Sequence, residues 1–176
     1  MKKIFTAIAA LMLAFAPLTH MSAQNSTSQN STSQANVNGH LSLENVIKKY
    51  KDIRNADYVK MDGIILGMAK LAMKAEGELP SSAVDALKKM TVMDLDDCTW
   101  ENKDAFRKDM ADALAGCELV LEANDEDDKV SIYVGKMTET YFEDFIIYES
   151  KDCDLIIMHG KFPVEALRQM VEENID

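Results

Sequence analysis

The segment at residues 118–171 decides the fold. It contains four short runs, ELVLEA (118–123), KVSIYVG (129–135), TYFEDFIIYE (140–149) and DLIIMHG (154–160), followed by PVEALRQMVEEN (163–174). The four runs are rich in β-branched and aromatic residues, and short polar stretches separate them, which predicts four strands joined by hairpin turns. Residues 155–158 are apolar on both sides, so we expect this last strand to lie inside the sheet. Pro163 suits the first turn of a closing helix because it lacks an N–H group.

Helix and strand patterns alternate upstream of this segment. Helical spacing of apolar residues is found in SLENVIKKYKDI (42–53), GIILGMAKLAMKA (63–75), AVDALKK (83–89) and WENKDAFRKDMADALAG (100–116). YVKM (58–61) and MTVMDLD (90–96) are typical of short strands, and the broad apolar stripe of residues 63–75 predicts a largely buried helix. The predicted class is α+β. A largely antiparallel sheet, built from the C-terminal four-strand meander and the N-terminal strands, would have helices packed on one face.

The first residues have the composition of an export signal. Lys2 and Lys3 precede an apolar run, and Ala23 supplies a small residue for cleavage. The run is short for a bilayer core of about 30 Å and no second hydrophobic stretch follows, although an uncleaved anchor is the alternative. We predict a signal peptide at residues 1–23, a low-complexity flexible linker at 24–39 and a single α+β domain at 40–176. The mature protein would be periplasmic or secreted, without a transmembrane segment.

The chain is acidic, with a formal net charge of −11 at neutral pH. Removing Lys2 and Lys3 with the signal makes the charge still more negative. Nucleic acids and anionic membrane surfaces attract positive charge, so neither is an expected partner. The charge favours a basic protein or peptide.

Catalytic motifs are missing from the sequence. His40 and His159 have no second histidine at metal or triad spacing, and HExxH, GxSxG, CxxC and phosphate-binding glycine loops are all lacking. We therefore predict a non-enzymatic protein without a cofactor, most simply a protein- or peptide-binding module. The alternative is a small ligand-binding protein or enzyme whose site is assembled from carboxylates distant in sequence.

Cysteines, acidic clusters and methionines each have a structural and a functional interpretation. Cys98 and Cys117 would be separated by a helix on the order of 24 Å long, too far for a disulfide, whereas Cys153 could pair with either or all three could be free. The acidic clusters at residues 94–97 and 125–128 lack the glycine and glutamate of an EF-hand loop, which favours solvated turns over calcium sites. The methionines have spacings typical of core positions rather than of a copper site.

Aromatic residues in the middle strands provide the remaining candidate site. Tyr133, Tyr141, Phe142 and Tyr148 lie in two neighbouring predicted strands, and a sheet covered on one face would expose some of them. They could form a docking surface for a peptide, a protein or a second copy of the chain. The structural alternative is that they form cross-strand pairs that stabilise the sheet.

The order of these elements resembles the DUF4252 family. The resemblance covers most of residues 43–173: a helix ending in KKYKDI, the strand YVKM before an apolar helix, the strand TVMDLD, an amphipathic helix, and a meander ending in LIIMHGKFPVEALRQM. Its most specific part is the terminal strand with Gly160 and the short step into the last helix. The resemblance implies a small exported bacterial protein of unknown role and supplies no catalytic residues. Some members are lipid-anchored, but this sequence lacks a cysteine at the processing site.

Overall fold

The computed structural model describes residues 41–77, 79–125 and 128–172. Within these residues the chain forms five helices and six strands. The helices are α1 (Leu43–Tyr50), α2 (Gly63–Glu76), α3 (Ser81–Ala86), α4 (Trp100–Leu114) and α5 (Val164–Glu172), and the strands are β1 (Asp57–Met61), β2 (Leu87–Asp94), β3 (Glu118–Asp125), β4 (Asp128–Val134), β5 (Tyr141–Glu149) and β6 (Leu155–Pro163). The predicted signal peptide and linker lie outside the described residues.

The six strands form one antiparallel sheet in the order β1-β2-β6-β5-β4-β3. The last strand of the chain, β6, lies at the centre between β2 and β5. Its residue Ile157 pairs with Thr91 on one side and with Ile146 on the other. The predicted α+β class with a largely antiparallel sheet is confirmed, and β6 lies inside the sheet as its two apolar sides indicated.

The structure differs from the prediction in the placement of the helices, which lie on both faces of the sheet rather than on one. Ile156 and Met158 of β6 belong to a core cluster on the first face, whereas Leu155 and Ile157 belong to a separate cluster on the second face. The physical reason is the composition of the central strands. A strand that is apolar on both sides leaves one side in water unless helices cover both faces.

Three helices cover the first face and two cover the second. The helix residues in the first cluster are Leu66, Ala69 and Met73 of α2, Ala83 and Val84 of α3, and Ala166 and Leu167 of α5. The second cluster contains Val46 and Tyr50 of α1 and Phe106, Met110, Ala113 and Leu114 of α4. The rings of Tyr50 and Phe106 meet edge to face with centroids 5.0 Å apart, and the Tyr50 hydroxyl donates to Asp109 at 2.9 Å. These contacts join α1 to α4.

Gly160 allows α3 to approach the central strand. A Cβ atom at this position would clash with the carbonyl oxygen of Ala86, the last residue of α3, and lie 3.1 Å from the Phe162 ring. Leu87, which pairs with Gly160, is only 2% exposed. This pairing explains why the predicted helix at residues 83–89 ends at Ala86 instead: Leu87 already belongs to β2.

The last strand is also longer than predicted. Pro163 pairs with Tyr141 as the final residue of β6, so it precedes the closing helix instead of starting its first turn. None of the helices in the described part of the chain is long and apolar enough to cross a membrane.

Candidate functional site

The four aromatic residues predicted as a docking surface do not form one. Phe142 is fully buried on the first face, where its ring stacks on Phe162 with centroids 5.3 Å apart. Tyr148 is buried on the second face and meets Phe106 edge to face at 6.2 Å. These two side chains point to opposite sides of the sheet because their positions in β5 are an even number of residues apart but separated by a bulge next to Phe145.

The other two aromatic residues are half-buried and separate from each other. Tyr133 in β4 packs against the second-face cluster. Tyr141, at the start of β5, has the ammonium group of Lys161 4.3 Å from its ring centroid. The prediction of an aromatic docking surface is therefore corrected. Helices on both faces of the sheet bury most of the surface of these aromatic side chains.

Four of the large apolar side chains that are exposed in the described residues are instead found together on α2, whereas Trp100 of α4, at 68%, is exposed separately. Ile64 is 84% exposed, Leu71 71%, Met68 57% and Ile65 49%. Together with the exposed Ala72 and Ala75 they form what we call the outer face of α2. The prediction that this helix is largely buried is wrong, because its apolar residues form two stripes of which only the one with Leu66, Ala69 and Met73 contacts the core.

Charged groups flank the outer face without entering it. Lys74 forms an ion pair with Asp85 of α3 at 2.6 Å, and Lys70 donates to the backbone carbonyl of the same residue at 3.1 Å. The hydrogen bond from Lys74 lowers the pKa of the Asp85 carboxyl. Both lysines are thus directed towards α3, and the exposed stripe between Ile64 and Ala75 remains apolar.

Buried acids lie at the opposite end of β6 from Gly160. Burial, followed by the carboxylates of Asp94 and Glu149, raises the pKa of Asp154 to about 7, and its Oδ1 atom has no hydrogen-bond partner. Glu149 accepts hydrogen bonds from the backbone N–H groups of Lys151 at 2.5 Å and Asp152 at 2.8 Å. These contacts close the β5–β6 turn, so the Glu149 carboxylate has a structural role that sequence spacing did not reveal.

The guanidinium group of Arg107 fixes the same turn from α4. Its Nε atom donates to the carbonyl oxygen of Ser150 at 2.6 Å, and its Nη2 atom donates to that of Lys151. The exposed ring of Trp100 lies 5.1 Å from the guanidinium carbon. The guanidinium group of Arg107 therefore contacts backbone carbonyl oxygens and an aromatic ring rather than an anionic ligand.

His159 forms the one histidine–carboxylate pair in the described residues. Its Nδ1 atom lies 3.0 Å from Oδ1 of Asp144, while its Nε2 atom is buried without a partner. Asp144 has a φ of 53° and sits at a bulge in β5, which brings its side chain opposite His159. The pair can orient the imidazole ring. His40, the other candidate, lies outside the described residues.

The three cysteines are free in the structure. Cys98 and Cys153 are buried and Cys117 is half-buried. Burial raises the pKa of each thiol above its usual value, to about 11 for Cys153. A raised pKa keeps the thiol protonated at neutral pH, so these side chains are poor nucleophiles.

Metal ligands are not brought together within the part of the chain that the structure describes, where no group of three or more His, Cys, Asp or Glu side chains could hold an ion. In the first acidic cluster, Asp94 accepts from the backbone of Asp96 at 2.7 Å and Asp96 pairs with Lys103 at 2.9 Å. The second cluster falls at the β3–β4 turn, partly outside the described residues. Methionines 61, 73, 90 and 93 are buried in the core.

An apolar cavity lies beneath α3 on the first face. Its volume is about 10 Å³, close to the minimum that holds one water molecule. The lining residues are Leu79, Ala83, Val84, Leu87, Phe142, Phe145, Met158 and Phe162. Its size is far below the several hundred Å³ of a typical metabolite pocket.

Comparison with known proteins adds a family but no function. Searches among curated proteins and among solved structures find no match. A family model described as a domain of unknown function matches residues 50–170, which includes all six strands and most of the closing helix. The match covers well over half of the chain and contains the first core cluster and all of the second except Val46, and on this basis the chain belongs to the DUF4252 family.

Proposed function

We propose that this protein is an exported, non-catalytic interaction module whose contact surface is the outer face of α2. One observation carries the proposal: Ile64 and Leu71 leave 84% and 71% of their surface in water on a helix whose other side is well packed. Scattered apolar residues are common on protein surfaces, but contiguous apolar patches are typical of binding sites.

The free energy available from covering this face is comparable with the lowest estimates of the cost of association. Complete burial of one Ile, Leu or Met side chain stabilises by about 1.5–3 kcal/mol. Scaled by the exposed fractions of Ile64, Ile65, Met68 and Leu71, covering the face would yield roughly 4–8 kcal/mol. The upper part of this range exceeds the lowest estimates of the cost of association, about 4 kcal/mol.

The non-catalytic part of the proposal is supported by the positions of the titratable groups. Glu149 is enclosed by the β5–β6 turn that it stabilises, Asp154 beside it is half-buried, and the cavity beneath α3 is apolar and about the size of one water molecule. The raised pKa values of the thiols also argue against a cysteine nucleophile. A carboxylate-built site would need acids that open into a cleft.

Export and the charge of the partner rest on the sequence. The lysines at positions 2 and 3, the apolar run that follows them and the small residue Ala23 support a signal peptide and a periplasmic or secreted location. The net charge of −11 supports a partner that is neutral or basic at the rim of the contact.

A photo-reactive amino acid placed at Leu71 tests the contact surface in cells. We expect a discrete crosslinked species from this position. The same probe at Lys108, whose side chain is 75% exposed on α4, should give none. Equal crosslinking from both positions, or none from Leu71, would refute the surface.

A further inference from the structure

The geometry points to a second copy of this chain as the partner of the outer face, docked through α2 as an antiparallel, two-fold symmetric helix pair. This inference rests on the proposed function, because it uses the same surface and adds the identity of the occupant. It replaces the sheet-mediated homodimer that the sequence suggested, since both faces of the sheet are covered by helices.

The spacing along the outer face is that of a helix–helix contact. Ile64, Met68, Leu71 and Ala75 are separated by four, three and four residues, the repeat that places apolar side chains along one seam between two helices. Ile65 and Ala72 flank this seam on one side. The core-facing residues of α2 follow their own spacing on the other side of the helix, so the two contacts do not compete.

The sizes of the side chains select an antiparallel arrangement. In an antiparallel pair Ile64 of one copy lies opposite Ala75 of the other, and Met68 lies opposite Leu71. The two outer layers then combine a large side chain with a small one, the two central layers pair Met68 with Leu71, and the two-fold axis repeats every contact. A parallel pair would place Ile64 against Ile64 at one end and Ala75 against Ala75 at the other, which crowds one end of the seam and leaves a gap at the other.

The seam itself is uncharged, and its area is at the lower limit for a dimer. Lys74 at its edge is already paired with Asp85, whereas the net charge of −11 on each copy repels the other and weakens the contact. Judged from the exposed fractions, the outer face offers on the order of 500 Å² per copy, the size of a large monomer patch. Two copies would bury at most about 1,000 Å², the lower limit of a specific interface, so we expect a dimer that dissociates on dilution.

The N-terminal segment of the same chain is a poor alternative occupant. The described chain begins beside α4 on the second face, where the backbone N–H of Leu41 donates to Asp112 at 2.7 Å. α2 packs on the first face. Residues 24–39 also contain almost no apolar side chains with which to cover the seam.

Sedimentation equilibrium over a dilution series of the purified protein tests the dimer. We expect a reversible monomer–dimer equilibrium, and Leu71→Glu should raise its Kd at least about 30-fold because a charge enters the middle of each contact. Lys48→Glu, a matched change at an exposed position of α1, should leave the Kd unchanged. A dimer that survives Leu71→Glu would overturn the assignment to α2.

Cysteine crosslinking tests the orientation. Mixing an Ile64→Cys protein with an Ala75→Cys protein should give a disulfide-linked dimer on mild oxidation, and Ile64→Cys alone should not. In an antiparallel pair the two copies of residue 64 are about 16 Å apart, well beyond the reach of a disulfide. The unmodified protein gives the background from its own cysteines. Efficient crosslinking of Ile64→Cys alone would indicate a parallel pair and overturn the proposal.

The remaining outcomes separate this inference from the proposed function. A protein that is monomeric at every concentration, yet is crosslinked from Leu71 to a different protein in cells, refutes the second copy and leaves the interaction module standing. A monomer whose Leu71 probe captures nothing refutes both. A monomer that binds phosphatidylcholine vesicles through Leu71 refutes the dimer in favour of a lipid surface.

Discussion

Replacing Gly160 with alanine is the sharpest test of how the central strand meets α3. The added methyl group would lie well inside van der Waals contact distance of the carbonyl oxygen of Ala86 and 3.1 Å from its carbonyl carbon. Neither atom can rotate away, since both belong to the backbone at the end of α3. Phe162, also 3.1 Å away, is 2% exposed and packed in the first-face core, so it has little room to move.

The expected loss of stability follows from the fixed positions of the Ala86 backbone and the Phe162 ring. Inserting a methyl group into a well-packed core costs about 1–3 kcal/mol when side chains can adjust. Because backbone must shift here, we expect about 3 kcal/mol, equivalent to a fall in Tm of roughly 10 °C for a domain of this size.

Thermal unfolding followed by circular dichroism measures the effect. Gly116→Ala is the matched control, because a Cβ atom there would meet nothing within 4 Å and the residue does not have a positive φ. The control should change the free energy of unfolding by less than about 1 kcal/mol. If Gly160→Ala unfolds within about 2 °C of the unmodified protein, the close approach of α3 to β6 is not as described.

Three further measurements test other parts of the structure. Ile157→Asp should abolish folding because this fully buried position between β2 and β5 offers a charge no partner; native circular dichroism from a soluble variant would contradict its placement. Because the folded-state pKa of Asp154 is raised to about 7, its contribution to stability is present below about pH 4 and is lost as pH rises through 7. Asp154→Asn should therefore raise the urea midpoint at about pH 8 more than at about pH 5, and an equal change at both would refute the raised pKa. Alkylation of the denatured, unreduced protein should add three labels, whereas a bound disulfide would leave only one.

Periodicity predicted most of the secondary structure because each element carries its own pattern. The alternation of apolar and polar residues in β4 and the helical spacing in α4 are local signals, and both elements form where expected. The central position of β6 was also predictable, since residues 155–158 are apolar on both sides. Because both sides of this strand are apolar, the same residues also indicate helices on both faces of the sheet.

The candidate site could not be predicted in the same way. The sequence of α2 places apolar residues around most of the helix, and only packing separates the buried Leu66 from the exposed Leu71. The contact between His159 and Asp144 depends on a bulge in β5 and a positive φ, which no spacing rule anticipates. Sequence patterns indicate which residues favour burial. Which of these residues are buried depends on the neighbouring elements that pack against them.

The position of β6 also determines when the chain can fold. Up to residue 154 a growing polypeptide contains β1 and β2, which pair with each other, and the β3–β4–β5 meander, but no strand that joins these two parts. Only synthesis of the final strand supplies the edge that both halves need, and formation of the two core clusters must wait for it. A nascent chain that lacks β6 therefore cannot close either core cluster around a complete sheet.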